Sequence, residues 1–384
     1  MSKIRQVALL IDTSTDYSVH IVEGVARYSQ ERRSWNLLLQ RRGKRERSLM
    51  PRHWRPDGVI ARVTHHGLAA DLKQRGVPVV NVSLSVVPGF RIPQVTIDER
   101  LVGAWAATHL WERGFRHFGY CGLWDQPNYV DQCGPSFVEQ LMHYDPACQI
   151  HLPRKNVAAH HSVLTMVDLQ RWLKRVPKPI GIFVTDAEDA HNLADACRAV
   201  KLEVPDDVAI LVGEDDRLLC EISHPPLSAI DLGSQRIGYE AAALLDRLMS
   251  RRKPPRAPIF VPALRVVTRH STDTLAIADR DLADAVRFIR ENATQPIGVP
   301  DIIRQLPLSR RALELRFRQI LGRSPAAEIR RVRFERAKEL LITTDLIMPQ
   351  VAAAAGFAHT EVMNRLFQRT MRLTPTQFRR QSRR

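Results

Sequence analysis

The sequence predicts a two-lobed α/β body of parallel sheets followed by an all-α tail carrying two helix-turn-helix units. Three observations point there. Continuous apolar runs alternate with amphipathic runs from the N-terminus to about Val267, which is the pattern of parallel sheets covered on both faces by helices. The formal net charge of +16 sits mostly at one end: from Arg280 onward 21 Lys and Arg face 10 Asp and Glu, whereas the preceding residues hold 36 against 31. A near-neutral body with a basic tail suggests that the tail meets a polyanion. Finally, the tail repeats itself, with two short-helix, turn, Arg-bearing-helix units either side of one long helix.

At 384 residues, 44% hydrophobic and 26% charged, the chain is long enough for two or three domains with real cores. The opening M-S-K-I-R-Q-V-A-L-L-I-D has no signal-peptide pattern, and no apolar run approaches the roughly 18 residues that span a bilayer. Five cysteines, Cys121, Cys133, Cys148, Cys197 and Cys220, form no C-x-x-C pair. Free thiols in a reduced cytoplasm are expected, with no membrane partner. There is no P-loop, G-x-G-x-x-G, G-x-S-x-G or H-E-x-x-H, so neither a cofactor nor a metal is expected, and no enzymatic activity.

In the body, strand-like runs fall at Val7–Ile11, Trp35–Leu39, Gly58–Val63, Val77–Val82, Phe118–Cys121, Ile180–Thr185, Val208–Val212 and Ser228–Leu232. Helix-like runs lie between them, at about Val19–Tyr28, Leu68–Arg75, Leu101–Arg113, Val130–His143, Leu164–Arg175, Ala187–Val200 and Ile237–Ser250. So many strands suggest two lobes, dividing near Asp98–Leu110. Such lobes bind ligands beyond the carboxyl ends of their strands. The candidates there are Asp12, Ser14 and Tyr17, Arg62, Trp124 and Asp125, Asp186, and Asp215 with Asp216. Carboxylates and Arg hold hydroxyls by charge-assisted hydrogen bonds, and Trp or Tyr stacks on a sugar face. Asp186 and Asp215 would equally suit helix caps. Arg41–Arg47 reads as a solvated basic loop, and His65-His66 and His160-His161 as surface pairs without further metal ligands.

The segments V-A-L-L-I-D-T-S-T-D-Y, D-G-V-I-A-R, A-A-T-H-L-W-E-R-G-F-R-H-F-G-Y-C-G, V-T-D-A-E-D-A and V-P-D-D-V-A-I-L-V-G-E-D-D resemble the sugar-sensing domain of LacI-type repressors and periplasmic sugar-binding proteins. The resemblance implies that Asp186 and Asp215 bind sugar hydroxyls and that Asp12 and Trp124 occupy cleft positions, in loops too variable to name the ligand.

Arg269–Thr274 is polar and reads, with the residues to 279, as a linker before a DNA-binding domain over 280–384; the sensor is placed at 1–268. Asp279 or Asp281 can cap the next helix, buried through Leu282, Ala285, Val286 and Ile289. A short helix over Val299–Gln305 precedes the stretch L-S-R-R-A-L-E-L-R-F-R-Q-I-L-G. There Ser309 suits an N-cap, Leu313, Phe317 and Ile320 make the apolar stripe, and Gly322 suits the C-cap. Arg310, Arg311, Glu314 and Arg318 lie largely opposite, as a helix entering a major groove requires. Ser324-Pro325 opens a long helix through Ile329, Val332, Ala337, Leu340 and Leu341. Pro349–Ala355 and His359–Arg369 repeat the unit, the second packing through Val362, Leu366 and Phe367. Two units on one rigid helix can enter successive major grooves about 34 Å apart.

The tail segments L-S-R-R-A-L-E-L-R-F-R, R-V-R-F-E-R-A-K-E-L-L, V-A-A-A-A-G-F and R-L-F-Q-R with L-T-P-T-Q-F are similar to the AraC/XylS signature. That similarity implies base-reading by Arg311, Glu314 and Leu315 in the first unit and by Thr360, Glu361 and Arg365 in the second. Ser309, Arg310, Arg318 and His359 complete the DNA-facing set. The family usually has a basic residue where Leu315 stands. Either Leu315 reads a thymine methyl or Arg316 serves in its place. Glu361-Val362-Met363 and Gln368 also depart from the family pattern, so the second unit is expected to hold DNA less tightly. The joint resemblance implies a sugar-responsive transcription regulator with double-stranded DNA and a pentose such as xylose as its ligands. It further implies a homodimer on paired half-sites, with RNA polymerase as a further candidate partner. Some AraC-type regulators instead carry an amidotransferase-like domain with a nucleophilic cysteine, for which Cys121 in G-Y-C-G is the alternative candidate.

Overall fold

The structure is a computed structural model describing residues 4–32, 35–39, 50–122, 128–153, 165–274, 276 and 279–382. Its chain falls into two compact units, one built from Met1–Leu110 and Arg116–Thr274, the other holding the tail. In the first, β1 (Arg5–Leu10) buries four unbroken apolar residues, Val7–Leu10. It leads to α1 (Asp16–Arg32), β2 (Trp35–Leu39), β3 (Gly58–Ala61), α2 (His66–Arg75), β4 (Val79–Asn81) and β5 (Val95–Ile97). The strands β2-β1-β3-β4 make one parallel sheet in that order. Then follow α3 (Glu99–Trp111), β6 (His117–Cys121), α4 (Cys133–Tyr144), β7 (Gln149–His151), α5 (Met166–Arg175), β8 (Ile180–Val184), α6 (Ala187–Ala199), β9 (Val208–Val212), α7 (Arg217–Ile222) and β10 (Ser228–Asp231). After α8 (Ser234–Met249), β11 (Ile259–Val261) and β12 (Arg265–Val267) close the unit. The second sheet runs β12-β10-β9-β8-β6-β7, parallel except that β12 is antiparallel to β10.

The two lobes do not divide at one point near Asp98–Leu110, as the sequence suggests. Helix α8 returns to the first lobe and packs on α1, β3, β4 and β5, and β11 pairs with β5. Two glycines allow the return. A Cβ at Gly24 would stand 1.9 Å from the Gln235 carbonyl oxygen, and one at Gly238 1.9 Å from that of Ile21. Only bare backbone lets α1 and α8 cross this closely. The strands that sequence periodicity misses, β5, β7, β11 and β12, are three residues each, too short to display a period.

The segment Arg269–Thr274, expected as linker, belongs to the fold of this first unit. Ser271 and Thr272 are fully buried; Ser271 Oγ donates to the Ile210 carbonyl at 2.6 Å and accepts from Ser228 N–H at 2.8 Å. Its polar side chains look like linker chemistry, but the Ser271 hydroxyl replaces a ladder partner between β9 and β10, and the Thr272 hydroxyl donates to Ser228 Oγ at 2.7 Å.

In the tail unit, α9 (Arg280–Asn292) is capped by Asp279, which accepts from Leu282 N–H. Next come α10 (Val299–Arg304), α11 (Arg310–Leu321), α12 (Pro325–Thr343), α13 (Met348–Ala354), α14 (Thr360–Met371) and α15 (Pro375–Ser382). Two small cores share α12. Its Ile329 joins Leu282, Val286, Ile289, Ile302, Leu313 and Phe317, while its Phe334, Ala337 and Leu341 join Val351, Met363, Phe367 and Phe378. Near its start Glu328 is fully buried between Arg323 and Arg331, at 2.5 and 2.7 Å. Burial alone would raise that carboxyl, but the bonds and charges of Arg331 and Arg323 hold it down to about 2.

Candidate functional site

Four residues expected at the ligand cleft meet in the first lobe. Asp12 follows β1 and Arg62 follows β3, whose parallel pairing brings their carboxyl ends side by side. Arg62 Nη1 donates to Asp12 Oδ2 at 2.8 Å and to Ser18 Oγ at 3.2 Å, and its guanidinium carbon lies 5.9 Å from the Tyr17 ring centroid. Ser14 Oγ donates to Asp12 at 3.0 Å. Tyr17 is 8% exposed, and burial raises its phenol well above the usual range, with Arg62 opposing. Its hydroxyl and that of Thr96 are neighbours, yet neither completes a well-formed hydrogen bond, and Arg62 Nε is likewise unsatisfied. Buried hydrogen-bonding atoms left open beside a strand end are what a hydroxylated ligand would satisfy.

In the second lobe, Asp186 follows β8 and Asp215 follows the neighbouring β9. Asp186 caps α6, accepting from Glu188 and Asp189 N–H. Asp215 lies 2.8 Å from Arg269 Nη1, a charge-to-charge contact whose angle is too poor for a formed hydrogen bond. Asp216 caps α7 and also accepts from Asp16 N–H, while Asp16 accepts from Arg217 N–H at 2.7 Å. This reciprocal pair ties the start of α1 to the start of α7, one from each lobe. A second tie runs through Asn128, which donates from its amide to the Thr64 carbonyl and accepts from Val86 N–H. Trp124 and Asp125 lie outside the described residues, as do Arg41–Arg47 and His160-His161.

Sequence reasoning missed Thr96, Glu99 and Tyr129. Tyr129 Oη donates to Glu99 Oε1 at 2.5 Å, and the Cys133 thiol lies 3.8 Å from the same oxygen. Burial pushes the Glu99 carboxyl up to about 7 against the Tyr129 bond, with Asp131 adding to the rise. Glu99, Asp131 and Cys133 each bring a ligand atom within 4.8 Å of the others, and burial raises the Cys133 thiol well above its usual value. His65 is no free surface residue either; its Nδ1 accepts from Leu68 N–H and caps α2.

Cys121 ends β6, 6% exposed, with burial and the charge of Asp189 raising its thiol. An activated nucleophile needs the reverse shift. Nothing here supports an amidotransferase-like centre.

In the tail, α11 and α14 are the same object twice: each residue of Arg310–Leu321 has its counterpart 50 positions later in Thr360–Met371. Ser309 caps α11 through Ala312 N–H, and Gly322 ends it in the left-handed region at φ 67°. His359 stands at the N-cap of α14 without a side-chain cap bond, and Arg372 takes the left-handed C-cap at φ 54°. Arg310 pairs with Glu314 at 3.1 Å. Arg311, Leu315 and Arg318 are exposed along one face; on α14 Glu361 and Arg365 are exposed and Thr360 half-buried. The buried stripe of α14 is Met363 and Phe367; Val362, expected inside, is 36% exposed. The helix is turned by one position because Met363, at i−4 from Phe367, reaches the core that Val362 would miss. Arg316 is not on the reading face: its Nη1 lies 3.0 Å from both Asp279 oxygens and 3.1 Å from Asp281.

Models of known families match the chain in three places: the XylR N-terminal domain over residues 6–97, a periplasmic binding protein-like domain over 107–272 and a helix-turn-helix domain over 302–381. The chain is 28% identical over 385 residues to the xylose operon regulatory protein of Escherichia coli strain K12, covering 98% of this chain and 97% of that protein. To the protein of the same description from Haemophilus influenzae it is 27% identical over 389 residues, covering 97% and 98%. A solved xylose-binding transcription activator superposes with a TM-score of 0.62 at 25% identity, over 99% of this chain and 98% of that one. No helix among the described residues is long and apolar enough to cross a membrane. The chain is thus a DNA-binding transcription regulator assembled like the xylose operon regulatory proteins, a periplasmic-binding-protein-like domain followed by a C-terminal helix-turn-helix domain.

Proposed function

We propose that this regulator responds to a pentose such as xylose, bound between the lobes by Asp12, Tyr17, Arg62, Asp186 and Asp215, with Trp124 as the further contact that the sequence suggests. The observation that carries the reading is the Tyr17 hydroxyl, buried against the Asp12–Arg62 pair with its hydrogen bonding unfinished. A sugar hydroxyl would complete it, and the whole-length likeness to xylose operon regulators points to the same ligand class. On this reading the protein is cytoplasmic and non-enzymatic. It acts as a homodimer on paired half-sites, through Ser309, Arg310, Arg311, Glu314, Leu315, Arg318, His359, Thr360, Glu361 and Arg365. The effector acts by its unequal affinity for two arrangements of that dimer.

A thermal-shift screen against pentoses and hexoses tests it. The effector stabilises by about 2.7 kcal/mol at a hundredfold excess over its Kd. Tyr17→Phe should leave the sugar-free melting temperature unchanged or slightly higher, since it deletes an unsatisfied buried hydroxyl, and should shrink the sugar-induced shift. An undiminished shift in that variant, or none with any sugar in the wild type, would overturn the assignment.

A further inference from the structure

The sequence leaves two ways to fill the place on α11 where a basic residue is expected: Leu315 itself, or Arg316 beside it. The structure closes the second. Arg316 holds Asp279 and Asp281 at 3.0–3.1 Å and so fastens α11 to the start of α9. Turning it outward would leave two carboxylates at that helix start without their cation.

Leu315 is 54% exposed, while the apolar residues Leu313, Phe317 and Leu321 of the same helix are buried. It sits one turn after Arg311 and just under one turn before Arg318, both exposed, so an apolar side chain stands in the middle of an arginine-flanked stripe. Its counterpart 50 positions later is Arg365, exposed on α14. The register position is therefore presented to solvent in both units, apolar in one and cationic in the other.

Resting on the reading of α11 as a base-reading helix, we propose that Leu315 recognises the C5-methyl group of a thymine, so that the first unit selects thymine at the position where the second selects through Arg365. A leucine neither donates nor accepts, and the thymine methyl is the one apolar group on the major-groove edge of a base pair. Arg365, in contrast, can bond guanine bidentately. The two units then read unlike subsites, and the site acquires a direction.

The test selects binding sequences from a random duplex library with the full-length protein, then replaces each selected thymine in turn by deoxyuridine, which lacks only the methyl. One replacement should weaken wild-type binding about fourfold, the effect of one buried methyl. Leu315→Ala, a change at an exposed position, should bind the methylated and unmethylated duplexes alike, and Leu315→Arg should shift the selected base there towards guanine. If no sequence is enriched, the assignment of α11 as a base reader fails and this inference with it. If a sequence is enriched but its thymines respond equally in wild type and Leu315→Ala, the inference alone fails.

Discussion

Glu99 keeps a carboxyl under cover between Tyr129, Cys133 and Asp131, and its raised pKa of about 7 has a definite consequence for stability. In the unfolded chain it titrates near 4.5. Below that value it is protonated in both states and imposes no penalty. Between about 4.5 and 7 the folded state holds the proton that the unfolded state releases, so stability falls as pH rises through the window and is level above it. Glu99→Gln should abolish that loss, which is at most about 3 kcal/mol. Urea titrations of both proteins at pH 5 and pH 8 measure it, and parallel pH profiles would contradict the burial effect. The same residue shows where reading a sequence stops. Asp12 and Arg62 were legible because each follows an unbroken apolar run, and the carboxyl ends of parallel strands are ligand positions. Thr96 belongs to a three-residue strand whose partner, β11, lies far along the chain, and Glu99 opens α3 just after that strand, so nothing local marks them.

The α1–α8 crossing sets the tolerance of a whole pair of helices. With an Ile21 carbonyl 1.9 Å from where a Cβ would stand, Gly238→Ala must part the two helices or bend one of them. Its cost should reach or exceed the roughly 3 kcal/mol upper range of overpacking. A melting temperature within a degree or two of wild type would show that the helices give way easily. Gly67→Ala is the control, its Cβ meeting nothing nearer than 3.4 Å. The pattern of apolar residues gave α8 almost its full length but not its lobe, because periodicity says which face is buried and not against what. In the tail, periodicity and repeat were both available, and the 50-residue echo of α11 in α14 made the second unit readable. Its one error, Val362 for Met363, came from choosing between adjacent apolar residues.

The whole molecule separates charge by function. The excess of cations after Arg280 sits on small helices with exposed Arg311, Arg318, Arg365 and Arg369, whereas the body is close to balanced. Binding to duplex DNA should therefore weaken steeply with salt, the logarithm of the affinity falling by about 0.9 per phosphate contacted for each decade of salt. Arg369→Ala should reduce that slope by about one while leaving sequence preference alone. Filter binding on the selected duplex and on an unrelated one between 50 and 200 mM salt checks it, a range over which six to ten contacts would lower affinity about 10³- to 10⁵-fold. A flat salt response would remove the tail from the role of polyanion contact.

The glycine-to-glycine crossing also fixes an order of events during synthesis. The first lobe holds the first hundred residues, but one of its faces is made by Ser234–Met249. A nascent chain that has emerged only as far as β10 exposes the bare side of α1 around Gly24, with nothing to cover it. Neither lobe is finished until Met249 and the strands after it have left the ribosome, and the regulator's sensing half must wait, open-faced, for most of its own length to be made.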